Sequence, residues 1–315
     1  MRVLVTGAAG FAGTWLVRAL LADGHTVVAT RQEGHASPRD GDTDGGGVEW
    51  IPLDVTSAES VEAAVRRAAP EQVYHLAGQA SVAGSFSDPL GTWDVNATGT
   101  LRLAGALPAD ARLLVVSSAE VYGVVPEDEQ PIGEDRPLRP CNPYAASKAA
   151  AEMAALQARG PVVIARSFNH TGPGQDERFA LASFARQLAE IRGGRSEPVL
   201  HVGNLSARRD LLDVRDVARA YVRLMNEGEA GQVYNVCSGH AVSMSDAVEQ
   251  LIALSGTGAR LEVDPERVRP VDLPLLCGSG ARLRGLGWAP EIDFRDTLAD
   301  LLESHVQAIR TGTAA

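Results

Sequence analysis

Tyr144 and Lys148 stand four residues apart in Pro143-Tyr144-Ala-Ala-Ser147-Lys148-Ala-Ala-Ala-Glu152, an alanine-rich stretch of high helix propensity. Residues at i and i+4 share a helix face, so phenol and ammonium are neighbours. A cation beside a phenol favours the tyrosinate, and the spacing predicts a tyrosine pKa drawn down from about 10 until it exchanges a proton near neutrality. Y-x-x-x-K alone recurs in many helices by chance. Ser118 strengthens it, because it follows an apolar strand-like run and can donate to a substrate oxygen, although a serine there also serves as an ordinary cap. Gly7, Gly10 and Gly13 form G-x-x-G-x-x-G between a strand pattern and a helix pattern. Small residues there let backbone N–H groups and the positive helix end approach a pyrophosphate, while the plainer alternative is a tight turn.

The elements that must position these groups alternate. Runs at 2–5, 26–29, 72–76, 113–117 and 162–165 read as buried strands, and between them 15–22 and 60–69 carry apolar residues at helical spacing. Such alternation predicts an α/β fold: a Rossmann-type doubly wound parallel sheet with right-handed crossovers. Beyond Arg166 the texture becomes loops rich in Gly, Pro and Arg, with helical patterns at 179–191, 214–225, 246–254 and 296–302. We expect a smaller α/β C-terminal substrate lobe. The expected division is 1–165 plus about 212–237 for the dinucleotide and 166–211 with 238–315 for the substrate. Ligands of open α/β sheets bind at the carboxyl ends of the strands, which puts the cleft between these lobes. Residues 39–47, rich in Gly and Asp, read as a loop.

The second strand ends in Thr30-Arg31, where an NAD site usually carries an acid. A guanidinium suits a 2′-phosphate, so NADP(H) is favoured, with Glu33 nearby leaving NAD(H) open. Asp54, after the third strand, is suited either to the adenine amino group or to capping a turn. A formal net charge of −11 argues against nucleic-acid or anionic-membrane partners, so a bound diphosphate must meet local arginines. Three cysteines, Cys141, Cys237 and Cys277, lack paired or metal-ligand spacing. They fit a reducing, cytoplasmic compartment, and the opening MRVLVTG lacks the pattern of an export signal.

The motifs agree in order with a known family. TGAAGFAG, DV at 54–55, HLAG at 75–78, DVNATGT at 94–100, SSAEVYG at 117–123, PYAASK at 143–148 and RSFNHTGPGQ at 166–175 resemble the extended short-chain dehydrogenase/reductases, the nucleotide-sugar-modifying branch. The resemblance implies a catalytic triad of Ser118, Tyr144 and Lys148, with Lys148 also on the nicotinamide ribose and Tyr144 and Ser118 flanking the sugar C4 oxygen. It implies cofactor contacts from Gly7, Gly10, Phe11, Ala12, Gly13, Arg31, Asp54, Val55, Leu76, Ala77 and Gly78 besides Tyr144 and Lys148. His75 then reads as a cofactor-loop or packing residue, and Asn96 as the family asparagine with a structural hydrogen bond behind the active-site helix.

Glu120 decides between reactions. In family members that dehydrate a sugar, a glutamate two positions after the Ser/Thr removes the C5 proton; the other reading is a loop-holding residue. Ala119 stands where glucose-type dehydratases place an aspartate. The second half, from FNHTGPGQ through VGNLSARRDLLDVRDVARAY to LRGLGW, resembles the GDP-4-keto-6-deoxy-D-mannose reductases. That resemblance implies NADPH-dependent reduction of a GDP-4-keto-6-deoxyhexose to a GDP-6-deoxyhexose such as GDP-D-rhamnose. It gives Arg209 and Arg269 to the diphosphate and Asn169 to the sugar or diphosphate, while Arg208, Arg215 and Arg267 are equally well solvated charges and His170 and His201 are packing residues. The alternatives are a GDP-mannose 4,6-dehydratase, a C4 epimerase using NAD, and a non-catalytic redox sensor, which commonly loses the Tyr/Lys pair. A helical hairpin that often pairs subunits in this family implies a homodimer.

Overall fold

The computed structural model describes residues 1–32, 48–267 and 273–312. Valine and leucine runs form short strands that are buried on both faces, as a parallel sheet demands. The first half runs β1 (Arg2–Thr6), α1 (Phe11–Ala22), β2 (Thr26–Arg31), β3 (Val48–Pro52), α2 (Ala58–Ala68), β4 (Gln72–His75), α3 (Val82–Ser87), α4 (Pro89–Trp93), α5 (Gly99–Ala106) and β5 (Arg112–Ser118). It closes with α6 (Pro143–Ala155) and β6 (Val162–Ser167). A π-helical turn, Asp94–Thr98, joins α4 to α5.

The second half runs β7 (Asn169–Thr171), α7 (Ala180–Arg192), β8 (Val199–Val202), β9 (Arg208–Asp213), α8 (Val214–Glu227) and β10 (Val233–Val236). It continues with β11 (Ala241–Ser243), α9 (Met244–Ser255), β12 (Arg260–Val263), β13 (Leu275–Leu276), α10 (Ala281–Gly285) and α11 (Phe294–Thr311). Seven parallel strands lie in the order β10-β6-β5-β4-β1-β2-β3. This is the doubly wound α/β sheet expected from the alternation.

One apolar layer packs α1 and α8 on the sheet through Leu16, Leu20, Val217 and Tyr221. The other sets Val61, Val65, Leu103 and Leu107 of the α2 and α5 side against Leu4, Val28 and Leu113. A separate core joins α7, α9 and α11 around Phe184, Leu251 and Leu301. Small sheets made of β7, β9, β11 and β13, and of β8 with β12, face it.

Several strands run beyond the apolar runs that mark them in the sequence: β2 reaches Arg31, β5 reaches Ser118 and β6 reaches Ser167. Polar strand ends break the apolar run while the ladder of hydrogen bonds continues. The helices between 82 and 93 sit in a Gly-, Ser-, Asp- and Pro-rich stretch without periodicity, and tertiary packing decides them. The loop expected at 39–47 lies outside the described residues, as does Glu33. Among the described residues no helix is long and apolar enough to cross a membrane.

Candidate active site

The glycine turn between β1 and α1 is shaped by its neighbours. Gly7 has φ +69°, and a Cβ there would lie 2.6 Å from the Ala77 nitrogen and 2.8 Å from the Leu76 carbonyl carbon. A Cβ on Gly13 would overlap the Gly7 carbonyl oxygen. Gly10 donates its N–H to that oxygen at 3.0 Å. Helix α1 opens on Phe11 and Ala12 with no side chain capping its first turn, so its N-terminal dipole faces outward, a cradle fit for a pyrophosphate. His170 of β7 stacks on Phe11, ring centroids 5.9 Å apart, tying the FNHTGPGQ segment to this turn.

The turn after β4 meets the glycine turn on one side and the active-site helix on the other. A Cβ on Gly78 would lie 2.9 Å from Asn96 Oδ1 and 3.6 Å from Lys148 Nζ. Asn96 accepts from Gln79 N at 2.8 Å and donates to Ser147 Oγ at 2.9 Å, bridging this turn to α6. His75 is bracketed by Thr6 at 2.7 Å and Thr100 at 3.0 Å. Burial, aided by the Lys148 charge, pushes its pKa down to about 3, so it is a neutral packing residue.

Arg31 ends β2 half-buried, and its strand partner Pro52 is two residues from Asp54. Asp54 Oδ1 accepts from the Thr56 backbone N–H at 2.8 Å and hydroxyl at 2.7 Å, bonds that hold its carboxyl below the usual range. That is the turn-capping arrangement. Val55 is buried against Gly99 of α5.

Helix α6 starts where it does because Asn142 caps it, Oδ1 accepting from Ala145 N at 2.8 Å, with Pro143 in the first turn. Ser85, a residue the sequence reading passed over, accepts from Tyr144 N at 3.1 Å. Ser118, Tyr144 and Lys148 converge at the carboxyl end of β5, each 8–9% exposed. Ser118 hydrogen-bonds the Tyr144 phenol and accepts from Glu120 N at 3.2 Å.

One expectation fails. The phenol is not drawn down by Lys148: burial pushes it up to about 12, Ser118 pulls the other way, and the Glu120 charge adds to the rise. Lys148 Nζ instead donates to the Val116 carbonyl at 2.7 Å, and burial lowers its own pKa to about 8 against the opposing charge of Glu152. Desolvation of both groups outweighs the attraction that helical spacing promised. Glu120 Oε2 accepts from Asn142 Nδ2 at 3.1 Å, which joins the turn after β5 to the cap of α6.

Behind the triad is a buried ion pair absent from the sequence reading. Arg166 Nη2 lies 2.7 Å from Glu152 Oε2, and Glu152 Oε1 accepts from Ser117 Oγ at 2.5 Å. The signal was available, since Glu152 stands one further turn along the face of Tyr144 and Lys148. Of the expected substrate residues, Asn169 is exposed at the start of β7, paired with Leu211 of β9. Arg209 precedes Leu211 by two residues and shares its face of β9. Its guanidinium donates to the carbonyls of Arg208 at 2.9 Å and Leu273 at 2.6 Å. Arg269 lies outside the described residues.

A family model described as GDP-mannose 4,6 dehydratase matches residues 4–301. The chain is 39% identical to the GDP-6-deoxy-D-mannose reductase of Pseudomonas aeruginosa, covering 98% of each. It superposes on the structure of RMD from Pseudomonas aeruginosa complexed with NADPH with TM-score 0.82 and 35% identity, over 98% of this chain and 99% of that one. The UDP-glucose 4-epimerase of Thermus thermophilus in complex with NAD aligns with TM-score 0.84 and 32% identity, over 97% and 99%. With the family pattern running over residues 4–301 and a matching overall fold, this chain belongs to the GDP-mannose 4,6 dehydratase family, within the NAD(P)-dependent extended short-chain dehydrogenase/reductases.

Proposed function

We propose that the chain reduces the C4 ketone of a GDP-4-keto-6-deoxyhexose with NADPH, giving a GDP-6-deoxyhexose such as GDP-D-rhamnose. The observation that carries this reading is the buried Tyr144 phenol, held protonated and hydrogen-bonded to Ser118 at the strand end. Reduction of a ketone needs an acid at that oxygen. The chemistry supplied by a bound nicotinamide is a hydride for C4. Tyr144 gives its phenolic proton to the C4 oxygen as the hydroxyl forms, Ser118 donates a second hydrogen bond to that oxygen, and solvent restores the proton. Lys148 holds positive charge beside the developing tyrosinate. Positioning and charge stabilisation carry most of the rate, and proton transfer adds about a hundred- to ten-thousandfold.

The uncapped start of α1 after the glycine turn supports the assignment of Gly7, Gly10, Phe11, Ala12 and Gly13 to a dinucleotide, with Leu76 and Ala77 packed against that turn and Gly78 beside Lys148. Arg31 supports NADPH over NADH. We assign residues 1–165 with 212–237 to the cofactor and 166–211 with 238–315 to the sugar nucleotide, where Asn169, Arg209 and Arg269 meet the substrate. The Pseudomonas aeruginosa relative supports a GDP-6-deoxyhexose. A dehydratase reading draws on the family model and on Glu120. Against it, the Glu120 carboxylate is engaged by Asn142.

Exposed Leu90, Trp93 and Leu101 on the α4–α5 side, with Met153 on α6 and Leu156 just after it, support a homodimer through these helices. The free thiols of Cys141, Cys237 and Cys277 support a cytoplasmic site. The deciding experiment incubates the protein with GDP-4-keto-6-deoxymannose and NADPH and follows the nicotinamide absorbance. Stoichiometric oxidation is expected, and none sinks the reductase reading. Conversion of GDP-mannose to a 4-keto product without added reductant establishes dehydration instead.

A further inference from the structure

We propose that Glu152, gripped by Arg166, is a positioning residue: its carboxylate sets the end of β5 against the face of α6 that carries Tyr144 and Lys148, and supplies the counter-charge for the Lys148 ammonium. The inference rests on the triad reading above. Glu152 and Arg166 are 4% and 5% exposed. Glu152 Oε1 accepts from Ser117 Oγ at 2.5 Å and from Arg166 Nε at 2.9 Å, and Oε2 accepts from Arg166 Nη2 at 2.7 Å. Ser117 is the chain neighbour of Ser118.

Arg166 Nη1 donates to the Tyr122 hydroxyl at 3.0 Å and to the Glu134 carbonyl at 3.1 Å, and the guanidinium lies 4.9 Å over the Tyr122 ring. Tyr122 in turn donates to Asn235 Oδ1 on β10 at 2.7 Å. The segment from Ser117 to Tyr122, which carries Ser118 and Glu120, is therefore fastened at both ends to one buried ion pair. A buried pair gains little stability over well-packed apolar side chains, so stability alone is a weak reason for it. Holding two secondary-structure elements within a fraction of an ångström is a stronger one, because a small misplacement of reacting groups costs on the order of a hundredfold in rate.

The charged and titratable groups around Glu152 are Lys148 on its own helix, Arg166 from β6, Tyr122 from the turn after β5, and Glu134, which meets Arg282 of α10. Arg166 and Arg282 each lie within ion-pair distance of a carboxylate, and Lys148 stands four residues before Glu152 on the same helix, whose charge opposes its desolvation.

Lys148 is the only lysine in the chain, so protein labelled at lysine Nζ and Cε gives one magnetic-resonance signal that titrates without substrate. Two variants test the proposal, Glu152→Gln and the apolar double replacement Glu152→Met with Arg166→Met, whose folding is checked by thermal melting. In Glu152→Gln the Lys148 midpoint is expected to fall by about one unit. Both variants are expected to bind NADPH and to lose kcat on the order of a hundredfold with KM changed far less. A Glu152→Gln midpoint equal to wild type overturns the counter-charge role, and a folded double variant with wild-type kcat overturns the positioning role. Wild-type protein that reduces no GDP-4-keto sugar defeats the reaction assignment instead, and the Lys148 midpoint still decides the role of Glu152.

Discussion

Tyr144 and Lys148 are both pushed by burial toward their neutral forms, the phenol up to about 12 and the amine down to about 8. The tyrosine thus arrives protonated and the lysine is the group that titrates in the working range. Lys148 carries its charge below pH 8 and loses it above. In the proposed reduction, kcat/KM should accordingly fall as pH rises through about 8, while a Lys148→Arg variant that keeps its charge should show no such limb. A pH–rate profile of the two proteins checks this. Tyr144→Phe should reduce kcat by about a hundred- to ten-thousandfold and leave NADPH affinity nearly unchanged, since only the proton is lost. Steady-state kinetics with a fluorescence titration of NADPH read both, and loss of binding as well as turnover makes Tyr144 structural.

At the scale of elements, the strand-turn-helix units hold the site because backbones approach closely where side chains are missing. Gly7 adopts φ +69° against the Leu76–Ala77 backbone, so Gly7→Ala is strained in conformation and in space. The β1–α1 turn must shift, and NADPH affinity should fall at least tenfold, about 1.4 kcal/mol, by calorimetric titration. The glycine motif and the alternation of runs were legible because each is local: three glycines at fixed spacing, and apolar residues repeating at two or at three and four. The helices between Val82 and Trp93, the short strands of the second lobe and the extension of β5 to Ser118 were not, since their residues are polar or irregular and long-range pairing decides them.

For the whole molecule, two buried histidines couple stability to pH. Burial holds His75 at about 3 and His305 at about 4, below the value of 6.5 they have in solvent. The unfolded chain therefore takes up protons first, and stability present above pH 6.5 is lost as pH falls toward 4. Between pH 7 and pH 5 each contributes a loss of about 2 kcal/mol. Denaturant unfolding at the two pH values should show it, and His305→Leu, placed in the second-lobe core, should reduce the difference by about 2 kcal/mol. An unchanged difference in that variant means His305 is not the source.

By itself the sequence determined the kind of sheet, the glycine turn and the identity of the groups at the strand end, because spacing along a helix or strand settles which residues share a face. It placed Tyr144 and Lys148 on one helix face and Ser118 at a strand end. Only the tertiary structure decided their protonation, since a pKa depends on what surrounds a group from every side. The phenol expected to ionise is kept protonated by burial, and the ammonium expected to act on it rests on the Val116 carbonyl. The same holds for the Glu152–Arg166 pair, whose members lie on α6 and β6 and meet only because both pack against the end of β5.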